Sequence, residues 1–160
     1  MKIRTIQPND NASLASIIRK SLTEFTDSLE NTVYDDPTTD DLFKLFSSNS
    51  RAIYYVAEDD DGKVLGGGGL YPSDGLEEGT VELVKMYLDK SARGKGIGKT
   101  ILQKAIASAQ SLGYDKIYIE TIPALKAARR LYEGFGWKYI GHSLGNTGHT
   151  GCDMFMLLEI

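Results

Sequence analysis

Gly79–Gly113 reads GTVELVKMYLDKSARGKGIGKTILQKAIASAQSLG: a strand, a short basic glycine-rich turn and an amphipathic helix in succession. Side chains alternate along a strand, so Val84, Met86 and Leu88 fall on one face of Thr80 to Leu88, and Glu82 falls on that apolar face with them. The turn from Lys90 to Gly98 contains Arg93-Gly94-Lys95-Gly96-Ile97-Gly98, whose glycines let the backbone approach a ligand and adopt positive φ. In the helix, Ile97, Ile101, Leu102, Ala105, Ile106, Ala109 and Leu112 recur at three- and four-residue steps, and Gly113 supplies the stop. A glycine turn that runs into a helix start offers unpaired N–H groups and the positive end of the helix dipole, an anion site suited to phosphate. Arg93, Lys95 and Lys99, the last followed by Thr100, add mobile positive charge.

Spacing sorts the phosphate motifs. In a dinucleotide fingerprint the third glycine would come one residue later, and an acid would mark the ribose site; here neither holds. A P-loop would need one more residue between Gly94 and Gly98 ahead of Lys99-Thr100. What is matched is Arg/Gln-x-x-Gly-x-Gly/Ala, filled by Arg93, Gly96 and Gly98 between a strand and a helix. In this the chain resembles the GNAT family of acyl-CoA-dependent N-acetyltransferases. The resemblance implies that the turn from Arg93 to Thr100 cradles the coenzyme A pyrophosphate, that Met86, Tyr87 and Leu88 pair with pantetheine, and that acetyl-CoA is the co-substrate.

At 160 residues the chain is the size of one domain, 1–160, with a real core. Its 41% hydrophobic and 25% charged content is that of an ordinary globular protein. No apolar run is long enough to span a membrane and MKIRTIQPND lacks a signal peptide's apolar core, so a cytoplasmic location is expected. Cys152 alone allows no internal disulfide, and one Cys with two His gives no metal-ligand spacing, so no metal is expected. A net charge of −4 argues against nonspecific nucleic-acid binding.

Taken in order, Lys2 to Gln7 is a first strand stopped by Pro8, and Asn9 or Asp10 caps a helix with Leu14, Ile17, Ile18, Leu22 and Phe25 on one face. Thr38 or Thr39 opens a second helix with Asp40 and Asp41 in its first turn. Ala52–Glu58 and Val64–Tyr71 form a hairpin around Asp59-Asp60-Asp61-Gly62. The run Gly66 to Gly69 inside the return strand is either a crowded packing site or one wall of a cleft. Lys116 to Thr121 is the fifth strand, Pro123 starts a helix through Glu133, and Trp137–His142 and Asp153–Glu159 are the last strands. The order predicts an α/β (α+β) mixed sheet of about seven strands flanked by about four helices, which is also the element order of the GNAT-like acyl-CoA N-acyltransferase fold.

Acetyl transfer from a thioester to an amine needs a neutral amine. Freeing a lysine-like amine at pH 7 costs about 4 to 5 kcal/mol, whereas a thiolate leaves only about 2 kcal/mol uphill, so a base matters more than an acid. Glu82 is the first candidate base, because burial would raise its pKa; the resemblance places a base, often acting through water, at this strand position. The competing reading makes Glu82 a structural acid paired with Lys85 or an Arg, and Glu120 in the neighbouring strand is a second candidate base. Tyr132, shortly before Gly134-Phe135, matches the family position that protonates the departing thiolate; by itself the Leu125, Ala128, Tyr132, Phe135 stripe reads as core. His149 near Cys152 is a candidate substrate contact, and Asp35, Asp36, Asp40 and Asp41 either steer a cationic amine or form a solvated face.

The function expected is acetyl transfer from acetyl-CoA to a primary amine of a small molecule or peptide by direct attack in a ternary complex. The alternative is a non-catalytic acyl-CoA-binding regulatory module. Neither a nucleic-acid nor a membrane partner is expected, and the sequence leaves a homodimer through the last strands open.

Overall fold

The computed structural model describes residues 1–160. One seven-stranded sheet runs in the order β1-β2-β3-β4-β5-β7-β6, from Lys2–Thr5, Ile53–Glu58, Val64–Tyr71, Thr80–Leu88, Lys116–Thr121, Lys138–Ile140 and Met154–Glu159 in chain order. Only β4 and β5 pair in parallel, as the helix between them requires; every other pairing is antiparallel. α1 (Asn11–Phe25) and α2 (Leu42–Ser47) bury Leu14, Ile18, Leu42 and Phe46 against one face with Tyr54 and Val56. α3 (Ile97–Ser111) and α4 (Lys126–Phe135) cover the other face, where Leu102, Ala105 and Tyr132 meet Val81, Leu83, Ile117 and Met156. The predicted mixed sheet and its four helices are therefore present.

Several boundaries move for local reasons. Asp10 holds the N-cap position of α1 but makes no side-chain cap bond; its carboxylate accepts from Gln7 N at 2.7 Å and from both Arg4 terminal nitrogens at 2.8 and 3.0 Å. Pro37–Asp40 form a 3-10 turn capped by Asp36, and Asp41 caps α2 by accepting from Lys44 N, so the second helix starts later than its threonines suggested. Pro123 lies in a turn closed by Leu125 N donating to Ile122 O, which delays α4 to Lys126.

The largest correction concerns β4. Lys85 has φ 52°, and the β3 register jumps between Gly67 and Gly69, so an extra residue is accommodated as a bulge. The bulge reverses the alternation. Glu82 and Val84 share the α1 face with Tyr87, which packs in the α1 cluster, whereas Met86 and Leu88 pack with the α3 side. Pairing of β4 with β5 covers only Thr80 to Glu82, so the two strands part beyond Glu82.

The glycine run of β3 resolves as a packing site. A Cβ at Gly67 would stand 2.4 Å from Tyr55 O and 2.5 Å from the Tyr54 ring, and one at Gly68 would stand 2.4 Å from Met86 Sδ. None of Gly66 to Gly69 lines the cleft described below. Gly67→Ala should lower stability by about 1 to 3 kcal/mol through overpacking, measured by urea unfolding; wild-type stability would show that the Tyr54 ring yields freely.

Candidate active site

Where β4 and β5 part, a cleft of about 370 Å³ opens between Glu82–Leu88, the glycine turn, the end of β5 and α4. Its far end is closed by Thr32 and Val33, from the segment after α1, and by His149 and Cys152, from the segment between β6 and β7.

One end of the cleft is an anion site built from backbone. Gly94 and Gly96 have φ 72° and 79°, Gly96 being the left-handed residue that starts α3. The N–H groups from Gly94 to Lys99 have no acceptor in the protein; the first to find one is Thr100 N, 3.1 Å from Gly96 O. Gly98 serves packing instead, since a Cβ there would come within 3.2 Å of Leu131.

Two expectations about this turn change. Arg93 is not mobile: its guanidinium donates to Glu24 Oε2 at 2.8 Å, Ser21 Oγ at 3.1 Å and Leu88 O at 3.0 Å, and it lies over the Phe25 ring. It fixes the turn to α1 and the end of β4, and this ion pair holds the Glu24 carboxyl below its usual range. Thr100 lies outside the cleft with its hydroxyl folded back onto Gly96 O, and Lys95 lines a separate pocket with Asp60 and Lys63 instead of the cleft. Met86, Tyr87, Leu88, Arg93, Gly94, Gly96, Ile97, Gly98 and Lys99 do line the cleft.

Glu82 sits at the apex, 2% exposed, and accepts a short hydrogen bond from Ser73 Oγ. Burial raises its carboxyl to about 7; the Ser73 bond opposes the shift and the neighbouring Glu120 adds to it. The pairing of Glu82 with Lys85 that the competing reading called for is absent, because the bulge sends Lys85 Nζ to Asp36 Oδ2 at 3.1 Å and Thr39 Oγ1 at 3.2 Å. Burial pushes the Lys85 ammonium down, and Asp36 opposes that shift. For Asp36 burial alone would raise the carboxyl, but bonds from His149 and Thr38 and the charge of Lys85 hold it well below the usual range.

Glu120 is half-buried and accepts from Thr147 Oγ1; burial raises its carboxyl too. His149 Nε2 lies 2.9 Å from Asp36 Oδ2, and polar atoms of Glu82, Glu120 and His149 all fall within 4.8 Å of one another. Two carboxylates and an imidazole are donor types that a divalent cation accepts, although their spacing in the sequence gave no sign of it. Of the candidate acids, only Asp36 joins the site: Asp35 accepts from Asn31 N, Asp40 pairs with Arg19 and Asp41 caps α2. Asp36 and His149 form a fixed pair that sequence reasoning missed.

Tyr132 is buried on α4, its ring 5.8 Å from that of Trp137, and its hydroxyl bonds to no protein group while the residue lines the cleft. Burial holds the hydroxyl above the usual phenol range, which keeps it a proton donor.

The site is thus a mixed sheet split between two parallel strands, with a free run of amides at one end of the split and a buried acid at its apex. Residues 16–137 match the model of the Acetyltransferase (GNAT) family. Over 160 residues the chain is 38% identical to YjgM of Escherichia coli, an uncharacterized N-acetyltransferase, covering 99% of this chain and 94% of that one. The fold matches a GNAT-family acetyltransferase of Staphylococcus aureus with TM-score 0.81 at 23% identity, over 99% and 98% of the two chains. It also matches a Sinorhizobium meliloti phosphinothricin acetyltransferase solved with acetyl-CoA, with TM-score 0.77 at 22% identity, over 99% and 88%. The chain belongs to the GNAT acetyltransferase family and is an acyltransferase.

Burying Glu82 should have a measurable cost. Its folded pKa lies above its unfolded one, so the native state binds the extra proton and stability falls as pH rises from about 4.5 to about 7. Glu82→Gln should therefore unfold at the same urea concentration as wild type near pH 4.5. It should be more stable by about 3 kcal/mol at pH 8, and equal stability at both pH values would contradict the shift.

Proposed function

We propose that this protein transfers the acetyl group of acetyl-CoA to a primary amine by direct attack in a ternary complex, with Glu82 as the base. The observation that carries the reading is Glu82 itself: a buried carboxyl at the apex of the cleft, raised to about 7, where base strength and availability at neutral pH are balanced.

The free amides from Gly94 to Lys99, at the positive end of α3, receive the pyrophosphate of the coenzyme. The β4 backbone beyond Glu82, which β5 leaves unpaired, runs beside pantetheine and directs the thioester towards the apex. An ammonium enters next to Glu82, gives up a proton and attacks the carbonyl carbon; the C–N bond forms as the C–S bond breaks. Tyr132 supplies a proton to the departing thiolate and is restored by the second proton that the attacking nitrogen sheds as the amide forms. The sum is amide, free coenzyme A thiol and one proton, which Glu82 passes to solvent. Ser73 holds the carboxyl in place.

A regulatory acyl-CoA-binding module would keep the amide run of the turn, but it would have no use for a carboxyl buried at a cost in stability. The test uses thiol release from acetyl-CoA with calorimetry alongside. Wild-type turnover should rise with a midpoint near pH 7, and Glu82→Gln should lose about 100-fold or more in turnover while still binding acetyl-CoA. Tyr132→Phe should lose roughly tenfold, mainly in turnover. Undiminished rates in Glu82→Gln across the pH range would remove Glu82 from the role, and an unchanged rate in Tyr132→Phe would return that residue to the core.

A further inference from the structure

Buried backbone N–H groups are nearly always bonded, so an exception marks a place where something else binds. At the closed end of the cleft two exceptions stand side by side. Thr32 and Val33 are 3% and 8% exposed and line the cleft, and neither N–H donates to an acceptor in the protein. The bonds around them hold the segment in place and leave this pair over. Thr32 Oγ1 donates to Leu29 O at 2.6 Å and accepts from Tyr34 N–H at 3.2 Å, while Thr39 Oγ1 donates to Val33 O at 2.6 Å. Gly151 N–H donates to Asn31 O at 2.9 Å, and a Cβ on Gly151 would stand 2.5 Å from Glu30 O and 2.9 Å from Thr32 Cγ2. The wall is therefore packed and fixed. Asn31, at φ 55°, precedes the pair, and consecutive N–H groups after a left-handed residue are the backbone arrangement that takes an anion. The acids on the same segment are engaged elsewhere. Asp35 accepts from Asn31 N–H at 2.9 Å, and Asp36 lies between Lys85 Nζ at 3.1 Å and His149 Nε2 at 2.9 Å. Facing this wall across the cleft, Glu82 and Glu120 offer acids to a cation.

We propose that the acceptor is an amino acid in the broad sense, an amine that carries a carboxylate, and that the N–H groups of Thr32 and Val33 receive that carboxylate while the nitrogen stands at Glu82. The inference rests on Glu82 receiving the acceptor's proton, which fixes the nitrogen's place. The ammonium is drawn to the acids, the carboxylate to the donor pair, and a zwitterion satisfies both walls at once. An amine without an anion fills the same space and leaves two buried N–H groups unpaired. A site built to bond a group discriminates against the ligand that lacks it, because its own buried donors then go unmet. A neutral carbonyl would meet the same pair more weakly, since hydrogen bonds to an ionised acceptor are about twice as strong.

The experiment compares acids with their primary amides on the full chain, by thiol release from acetyl-CoA. One series is the common L-amino acids; the other is β-alanine, 4-aminobutyrate and 5-aminovalerate, which move the carboxylate step by step away from the nitrogen. The acid of at least one pair should be turned over, with kcat/KM about tenfold or more above its amide. Val33→Pro, which deletes one donor, should narrow that ratio with acetyl-CoA affinity unchanged by calorimetry. A direct readout needs no variant: in nitrogen-15-labelled protein holding coenzyme A, the preferred acid should move the Thr32 and Val33 amide protons downfield, and its amide should move them less. Equal turnover of acid and amide, a preference for the amide, turnover of neither member of any pair while acetyl-CoA binds, or Thr32 and Val33 resonances indifferent to the acid would each overturn the proposal. Failure of the base assignment reads differently, since Glu82→Gln would then keep the wild-type rate whatever the acid-to-amide ratio.

Discussion

The bulge at Lys85 is the constraint on which the site depends. A lysine at φ 52° is strained, and three groups hold it there: Tyr54 Oη donates to its carbonyl at 2.9 Å, while Asp36 and Thr39 take its ammonium. The extra residue reverses the faces of β4 after Val84, and pairing with β5 ends at Glu82. An unbroken strand would keep Met86 and Leu88 on the side of Glu82 and could stay zipped to β5. The glycines of β3 belong to the same arrangement, because Gly67 and Gly68 leave room for the Tyr54 ring and for Met86.

From this follows a division of the cleft by charge. At the α3 end the donors are backbone amides and the nearby Arg93 is neutralised by Glu24, so the attraction for an anion is geometric as well as electrostatic. At the other end Glu82, Glu120 and Asp36 converge, and only Asp36 is matched by a lysine. Burial keeps the Glu82 carboxyl raised, and the Ser73 bond and the charges of His149 and Lys85 oppose the shift without cancelling it. The same burial that suits it to take a proton at neutral pH makes it a liability to the fold as pH rises from about 4.5 to about 7, a common exchange at functional sites.

Much of this was legible in the sequence because it is local. The strand from Thr80 to Leu88, the glycine turn and the helix to Ser111 are written in period-two alternation, in consecutive glycines and in period-3.6 apolar spacing, and all three stand where they were expected. The suspicion attached to Glu82 was also sound: an acid among apolar neighbours is buried. The bulge left no trace, since lysine is not a residue that announces a left-handed conformation, and alternation projected through it put Met86 and Leu88 on the wrong face. The pair of Asp36 and His149 joins residues 113 apart, and Arg93 is claimed by an acid 69 residues earlier. Such partners are set by how α1 and the segments at the closed end pack over the sheet, which no local pattern encodes.

The most direct measurement is the titration of the Glu82 carboxyl itself, by carbon NMR on protein labelled at the glutamate side-chain carboxyl and assigned with Glu82→Gln. A midpoint near 7 is the result the account requires. A midpoint below about 5, in the range of a solvated or ion-paired glutamate, would contradict it and leave the cleft without its base.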